Sequence, residues 1–270
     1  SSDLQFFVLK GKYKLIDPSA RIDPSAEIAE GVSIGPWSIV GPNVTIGAGS
    51  EIASHVVIRA NTRIGKNNKI FQFSSVGEEP ADKKFTGEET WMEIGDNNIL
   101  RESVSLHRGT EAGGGITRIG SNNLLMPHVH VAHDCRVGDN VVFANYAAIS
   151  GHVEVDDWVI LGGFSGVKQF VKVGAHAMVG AMTYIHNDVP AYVIVSGQPA
   201  AVRSINTIGL ERRGIEKEII SQLRTAFKII YKRNLGLKEA IVQIREMEGN
   251  GDALKLLIDS LESSEQGIVR

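Results

Sequence analysis

Isoleucine, valine or leucine recurs at every sixth residue over most of this chain. The first run comprises Ile16, Ile22, Ile28, Ile34, Val40, Ile46, Ile52, Ile58, Ile64, Ile70 and Val76. The second, with one phenylalanine, comprises Ile119, Leu125, Val131, Val137, Phe143, Ile149, Val155, Leu161, Val167, Val173, Val179 and Ile185. Ile94, Leu100 and Leu106 form an island of the same period between them. Six fits neither a helix nor the open alternation of an ordinary strand; a fixed short period marks a stacked repeat.

The remaining positions explain the repeat. The fifth position of each hexad is small or β-branched, as at Ala20, Ala26, Val32, Ser38, Val44 and Ser50, and again at Val129, Cys135, Val141, Ala147 and Val153. It lies two residues before the next aliphatic, so both face inward. Gly, Asn and Asp between them suit left-handed corners. One hexad is therefore a short strand plus a turn. Three hexads close a triangular coil of about 18 residues, and coils stack at roughly 4.8 Å. The expected fold is a parallel β-helix, mainly β, cored by a column of aliphatic side chains.

Two stretches break the register: residues 78–91 and the glycine-rich residues 107–118. Loops ejected from a regular scaffold are favoured places for binding residues, because the scaffold fixes their ends. Residues 1–14 read as an extension or expression remnant outside the repeat. After Pro190 the pattern becomes helical, with Ile219, Ile220, Leu223, Phe227, Ile230 and Tyr231 at helical spacing in residues 216–233. Amphipathic helices follow over 238–248 and 253–261, with Gly249-Asn250-Gly251 as the turn between them. The division is thus 1–14 extension, 15–195 solenoid and 196–270 helical domain, the last covering one end of the solenoid or packing on a neighbouring subunit.

With 270 residues, 43% apolar, 22% charged and a net charge of −3, the composition excludes a disordered chain and gives no sign of nucleic-acid binding. No apolar run reaches the length of a membrane span. A single cysteine rules out an internal disulfide framework and fits a reducing cytoplasm.

Residues 126–136, MPHVHVAHDCR, are the densest polar cluster. Cys135 falls on the inward fifth position and reads as buried filler. His133 and Asp134 fall on the third and fourth positions, at a corner accessible from outside. One coil later, His152 stands above Asp134 and Gly151 above His133; a second coil brings Gln169 into the His133 column. An imidazole beside a residue without a side chain has a bare backbone N–H as neighbour. That pairing can supply a general base and an oxyanion donor to one reacting centre.

The strings NNLLMPHVHVAHDC, LHRGTEAGGG, SGHVEVDD, IFQFSSVGE, DKKFTGE, DVPAYV and GLERRG, spread between Ile16 and Arg270, resemble the UDP-N-acetylglucosamine 3-O-acyltransferases of the hexapeptide acyltransferase superfamily. That resemblance implies a left-handed helix followed by a small C-terminal helical domain. It also implies a cytoplasmic enzyme of the first step of lipid A biosynthesis, acting as a homotrimer with sites between subunits. The donor would be (R)-3-hydroxyacyl-[acyl-carrier protein] and the acceptor UDP-N-acetylglucosamine. His133 matches the general base, Asp134 its orienting partner and the Gly151 N–H the oxyanion donor. Asp82, Lys84, His130, His152 and Gln169 match groups that hold the sugar or pantetheine, with His107 in support. Asn206, Arg212 and Arg213 match residues near the uridine and its diphosphate, for which a guanidinium is well suited. A thioester is already activated, so no metal and no cofactor is required. Acyl-carrier proteins are acidic, so a basic docking surface is expected among Arg212, Arg213, Lys217, Arg224, Lys228, Lys232 and Arg233.

The chain departs from the family pattern at Lys168, where the family often has His, and at Ile208, where a Glu can contact the nucleotide. Ala181 stands where the family varies between Gly and bulkier residues; Ala181 and Met182 are expected to narrow the tail groove and favour a medium acyl chain. A different class, the γ-type carbonic anhydrases, resembles the same solenoid and binds zinc through histidines; His107, His128, His130 and His133 suit that reading. Asp134 beside His152 and the paired arginines weigh against it. The N-acyltransferase of the same pathway carries a uridine-binding domain before its repeats, for which hexads starting at Ile16 leave no room. A purely structural solenoid needs neither clustered histidines nor ejected loops.

Overall fold

The computed structural model describes residues 15–247 and 251–270. The expected extension at 1–14 lies outside them, as do Gly249 and Asn250 of the expected turn. Almost every hexad contributes a strand of two residues, and the strands assemble into three parallel sheets. The first sheet has nine strands, from Arg21–Ile22 to Tyr184–Ile185; the second has eight, from Glu27–Ile28 to Lys172–Val173. The third has ten, beginning at Ser33–Ile34. The chain passes from first to second to third sheet and back. Parallel strands buried on one side by a shared aliphatic column need no crossover helices, because each turn of the coil is itself the crossover.

The aliphatic first positions are sealed: Ile58, Val76, Leu100, Leu106, Leu125, Val131, Phe143 and Ile149 are fully buried. Beside them runs a ladder of fifth-position amides. The Asn68 N–H donates to Ser50 Oγ across 18 residues, one coil below. The Asn98 N–H donates to Asn68 Oδ1 across 30 residues, and the Asn123 N–H to Asn98 Oδ1 across 25. The longer separations are the two ejected loops, so the core register survives both. Each buried amide is satisfied by the rung beside it, as a dry interior demands.

The corners differ from expectation in one respect. The left-handed residue is the fourth of the hexad, and His, Trp, Phe and Tyr occupy it as well as Asn, including Trp37, His55, Phe73, Asn97, His128, Tyr146, Trp158 and Phe170. Glycine in second position serves another purpose. A Cβ on Gly47 would lie 2.5 Å from the carbonyl of Gly65, so close coil stacking, not dihedral freedom, requires it. Stacked fourth positions build aromatic columns, such as His128–Tyr146–Phe164 with centroids 4.6 and 4.7 Å apart.

The last parallel strand, Val193–Ser196, turns back antiparallel as Ala201–Ile205 and closes the third sheet. Four helices follow: α1 (Thr207–Arg212), α2 (Lys217–Lys232), α3 (Leu237–Arg245) and α4 (Asp252–Glu262). α2 buries Ile220, Leu223, Ala226, Ile229 and Ile230, and α4 buries Leu254, Leu257, Ile258 and Leu261. These join the solenoid in one continuous core. Asp188 fastens the far end: its Oδ2 accepts from Ser264 Oγ and from the N–H groups of Glu265 and Gln266, at 2.8–2.9 Å.

Candidate active site

His133 and Asp134 sit at the corner that follows the first sheet. The sequence places them on a corner open to solvent, but only 5% and 6% of their surfaces are exposed. The second ejected loop covers them. Thr110 folds over the carboxylate: its N–H donates to Asp134 Oδ1 and its hydroxyl to Asp134 Oδ2, both at 2.7 Å. Thr110 also caps the 3-10 turn Glu111–Gly113, accepting from the Gly113 N–H at 3.1 Å. Gly113 packs against the carboxylate so closely that a Cβ there would overlap it. From below, the Thr117 hydroxyl accepts the Asp134 N–H at 2.7 Å.

So fixed, Asp134 Oδ2 accepts from His133 Nδ1 at 2.8 Å. A carboxylate accepts and does not donate, so Nδ1 carries the proton and Nε2 is left with a lone pair. The ring lies over Gly151: a Cβ on that glycine would come 2.5 Å from His133 Cε1 and 2.8 Å from Nε2. Among the described residues, nothing accepts the Gly151 N–H. His152 stands above Asp134 as register arithmetic requires, with Nε2 3.6 Å from Oδ2, edge-on to His133 and stacked on Phe170. Gln169 is exposed on the next rung.

A second pair adjoins this one. His107 and His130 meet edge to face at 4.9 Å, and His130 Nδ1 lies 2.7 Å from Ser105 Oγ. Burial, then the neighbouring His130, pushes His107 down to about 4. Burial and then His133 lower His130. The Ala81 N–H donates to His107 Nδ1 at 3.3 Å, tying the first ejected loop to the second. That loop continues into Asp82, whose carboxylate accepts the Lys84 N–H at 3.0 Å; Lys84 is exposed. Cys135 is fully buried, its thiol pushed up to about 12 by burial, which suits filler and not a nucleophile.

The remaining candidates lie elsewhere on the prism. Asn206 is 3% exposed and both ends of its amide are engaged: Nδ2 donates to the His176 carbonyl at 2.9 Å and Oδ1 caps α1 by accepting the Gly209 N–H. Arg213 lies over Trp158 and donates to the Trp158 carbonyl at 2.8 Å and to His176 Nδ1 at 3.0 Å. Both residues pin the helical domain to the corner after the second sheet. Arg212, by contrast, is exposed. Met182, 69% exposed, and its neighbour Ala181 stand at the corner after the third sheet, as does His128. The residues gathered around His133 in one chain are thus Asp134, Gly151, His152, His107, His130 and Gln169. Thr110, Thr117, Ser105, Trp158 and His176 escaped sequence reasoning. Thr110 lay in plain view in LHRGT, but its partner is known only once the loop has folded back.

Ligand atoms of His133, Asp134 and His152 all lie within 4.8 Å of one another, close enough to hold a metal ion. Both Asp134 oxygens, however, already accept protein donors. His128, one of the four histidines that suit the zinc reading, is on another edge of the chain. Two cavities of about 700 and 780 Å³ occupy other faces, and neither includes His133.

Stacked hexads, a corner histidine oriented by a carboxylate and a C-terminal helical cap define a hexapeptide-repeat acyltransferase. The family described as bacterial transferase hexapeptide matches residues 25–60 and 116–151. The second domain of UDP-N-acetylglucosamine O-acyltransferase matches residues 188–269. The chain is 51% identical over 255 residues to the acyl-[acyl-carrier-protein]--UDP-N-acetylglucosamine O-acyltransferase of Saccharophagus degradans, covering 94% of this chain and 99% of that protein. Its fold superposes on LpxA of Acinetobacter baumannii with a TM-score of 0.93 at 54% identity, covering 95% of this chain and 100% of that one. The UDP-N-acetylglucosamine acyltransferase of Arabidopsis gives 0.84 at 32% identity, with 94% and 100% covered. The chain belongs to the UDP-N-acetylglucosamine O-acyltransferase family: it is an O-acyltransferase built on a left-handed parallel β-helix.

Proposed function

We propose that this enzyme moves an (R)-3-hydroxyacyl chain from acyl-carrier protein to the 3-hydroxyl of UDP-N-acetylglucosamine, the first step of lipid A biosynthesis, with His133 as general base. The observation that carries this reading is the His133 ring, held by Asp134 and laid over Gly151, in a chain of this family. Nε2 takes the hydroxyl proton as the sugar oxygen attacks the thioester carbonyl. Asp134 stabilises the imidazolium that forms. The developing oxyanion meets the Gly151 N–H, a donor with no competing partner. When the tetrahedral intermediate collapses, the carbon–sulfur bond breaks and the departing thiolate takes the proton back from Nε2. Every proton is accounted for by one imidazole, and neither metal nor cofactor enters.

Asp82, Lys84, His130, His152 and Gln169 would line the sugar and pantetheine, with His107 holding the two loops together. Arg212 is the exposed guanidinium free to meet the diphosphate, while Asn206 and Arg213 hold the domain that presents it. The working form is a homotrimer. Support comes from the separation of His133, Arg212 and Met182 over different edges of one prism, which a neighbouring copy can reunite. Ala181 and Met182 would bound the acyl tail and favour a medium chain. A single cysteine, buried and unpaired, fits the cytoplasm, and among the described residues no helix is long and apolar enough to cross a membrane.

The test is an acyl-transfer assay with UDP-N-acetylglucosamine and carrier-linked hydroxyacyl donors of several lengths. His133→Ala should lose about 10³-fold or more in kcat while staying folded. A folded variant at full rate would remove the proposed base. Equal or faster turnover of the longest donor would defeat the role given to Ala181 and Met182.

A further inference from the structure

The corner after the second sheet ends in a stack of three rings that the chemistry at His133 does not use. Trp158 and His176 lie nearly parallel with centroids 6.2 Å apart, and His176 and Tyr192 with centroids 5.2 Å apart. All three are left-handed corner residues on successive coils, so their backbone carbonyls also stand one above another. Each carbonyl accepts from a residue that flanks α1. Trp158 takes Arg213 Nη2 at 2.8 Å, His176 takes Asn206 Nδ2 at 2.9 Å, and Tyr192 takes the Asn206 N–H at 2.7 Å. Asn206 caps the start of α1 and Arg213 its end, so both ends of that helix are tied to one column.

One further tie is made by a side chain. Arg213 Nη1 lies 3.0 Å from His176 Nδ1. A guanidinium only donates, so Nδ1 keeps its lone pair and the ring proton sits on Nε2. The tie therefore needs a neutral imidazole. Burial, then the Arg213 charge, pushes His176 down to about 4, against an opposing pull from Asp157. The charged and titratable groups around the ring are Arg213 from the end of α1, Asp156 and Asp157 from the coil below, and Tyr192 from the coil above; α4 brings Leu256. A helix of six residues has no stability of its own, so α1 takes its direction from these contacts. Its last residue is the exposed Arg212.

We propose that His176 is a positioning residue for nucleotide-sugar recognition: its neutral ring holds Arg213, and through Arg213 fixes the end of α1 that presents Arg212. The proposal rests on the reading that Arg212 meets the diphosphate. A guanidinium on a fixed helix end loses less freedom on binding than one on a loose end. His176 stands on a different corner from His133 and moves no proton in the reaction. Its loss should therefore weaken binding of the nucleotide sugar and spare the chemical step.

Two substitutions separate the ring from its lone pair. His176→Phe keeps an aromatic ring in the stack and removes the acceptor; His176→Asn gives up the ring and keeps an acceptor close to the Nδ1 position. Calorimetric titration with UDP-N-acetylglucosamine, in the absence of acyl donor, reads binding alone. His176→Phe should bind about tenfold more weakly, and His176→Asn should recover most of the loss. In the transfer assay KM for the nucleotide sugar should rise in step, with kcat and the KM for the acyl donor within about twofold of wild type. Arg213→Met removes the other partner and should show the same loss, with no further loss when combined with His176→Phe. This second route stands even where the phenylalanine variant does not fold. Unchanged affinity in His176→Phe would overturn the proposal, as would equal losses in the phenylalanine and asparagine variants, or a loss confined to kcat. Arg212→Ala in the same titration tests the underlying reading. If it binds the nucleotide sugar as tightly as wild type, that reading falls and the proposal with it; if it binds weakly while His176→Phe does not, the reading stands and the proposal alone falls.

Discussion

The His133 imidazole occupies the space where a side chain on Gly151 would begin. A Cβ there would lie within 3.1 Å of three ring atoms, closer than real Cβ contacts allow. Glycine is therefore required so that the ring can pack against the backbone one rung away. Gly151→Ala should push the ring aside while leaving the aliphatic column beneath untouched. We expect kcat to fall by about 10²-fold, the scale of a 1 Å misplacement, with the thermal midpoint nearly unchanged. A variant with normal kcat would show that the ring's position over Gly151 is unimportant to the reaction.

Thr110 holds Asp134 with two bonds of 2.7 Å and so holds His133 at one remove. Thr110→Val keeps the backbone bond and removes the hydroxyl, leaving one lone pair of a buried carboxylate without its donor. The expected result is a fall in kcat of about tenfold with little change in KM. Thr110→Ser, which restores the hydroxyl, should recover most of it. If valine and serine behave alike, the hydroxyl does not position the pair.

Stability should decline as the pH falls from neutrality. His107 and His176 are both pushed down to about 4, chiefly by burial, and His130 is lowered as well. A histidine whose folded pKa lies below its unfolded value binds its proton more readily when unfolded. Stability is therefore complete above about pH 6.5, the unfolded value, and drains away toward pH 4. Lowered carboxylates such as Glu78 and Glu93 act in the same direction, but only below their ordinary range near 4.5. Urea unfolding at intervals between pH 7 and pH 5 isolates the histidines. His176→Asn should flatten that slope; an unchanged slope would assign it to other groups.

The solenoid is legible because six-residue periodicity is a local constraint that every coil repeats. The Asp134–His152 pair follows from counting one coil forward. Burial of His133 does not follow, because it depends on where residues 107–118 fold after leaving the register, and no period governs an ejected loop. Asn206, which the resemblance places near the nucleotide, also has a role that its position before Thr207 makes legible: it is a helix N-cap, its side chain accepting the Gly209 N–H. The second-position glycines serve close stacking of coils, a purpose that depends on the neighbouring rung and that no sequence period states.

Metal removal should leave the enzyme unaffected. His133, Asp134 and His152 are grouped closely enough to attract a cation, but both Asp134 oxygens already accept donors from Thr110 and His133. Protein dialysed against a chelator should retain its full transfer rate, and elemental analysis should find no stoichiometric zinc. Stoichiometric zinc with activity lost on chelation would favour the hydrase chemistry instead.

If each site is shared, two inactive proteins should repair one another. His133 stands at the corner after the first sheet, whereas α1, which ends in Arg212, is pinned at the corner after the second, through Asn206 and Arg213. One prism holds the two residues on different corners, and in the proposed homotrimer it is corners of adjacent prisms that would have to meet. Co-expressed His133→Ala and Arg212→Ala chains should then form mixed trimers in which about a quarter of the interfaces unite an intact histidine with an intact arginine. Transfer activity should recover toward that fraction of wild type, although each variant alone is nearly inactive. Mixed trimers showing only the average of the two parent activities would place both residues in the same subunit's site, and the argument from separated edges would fail.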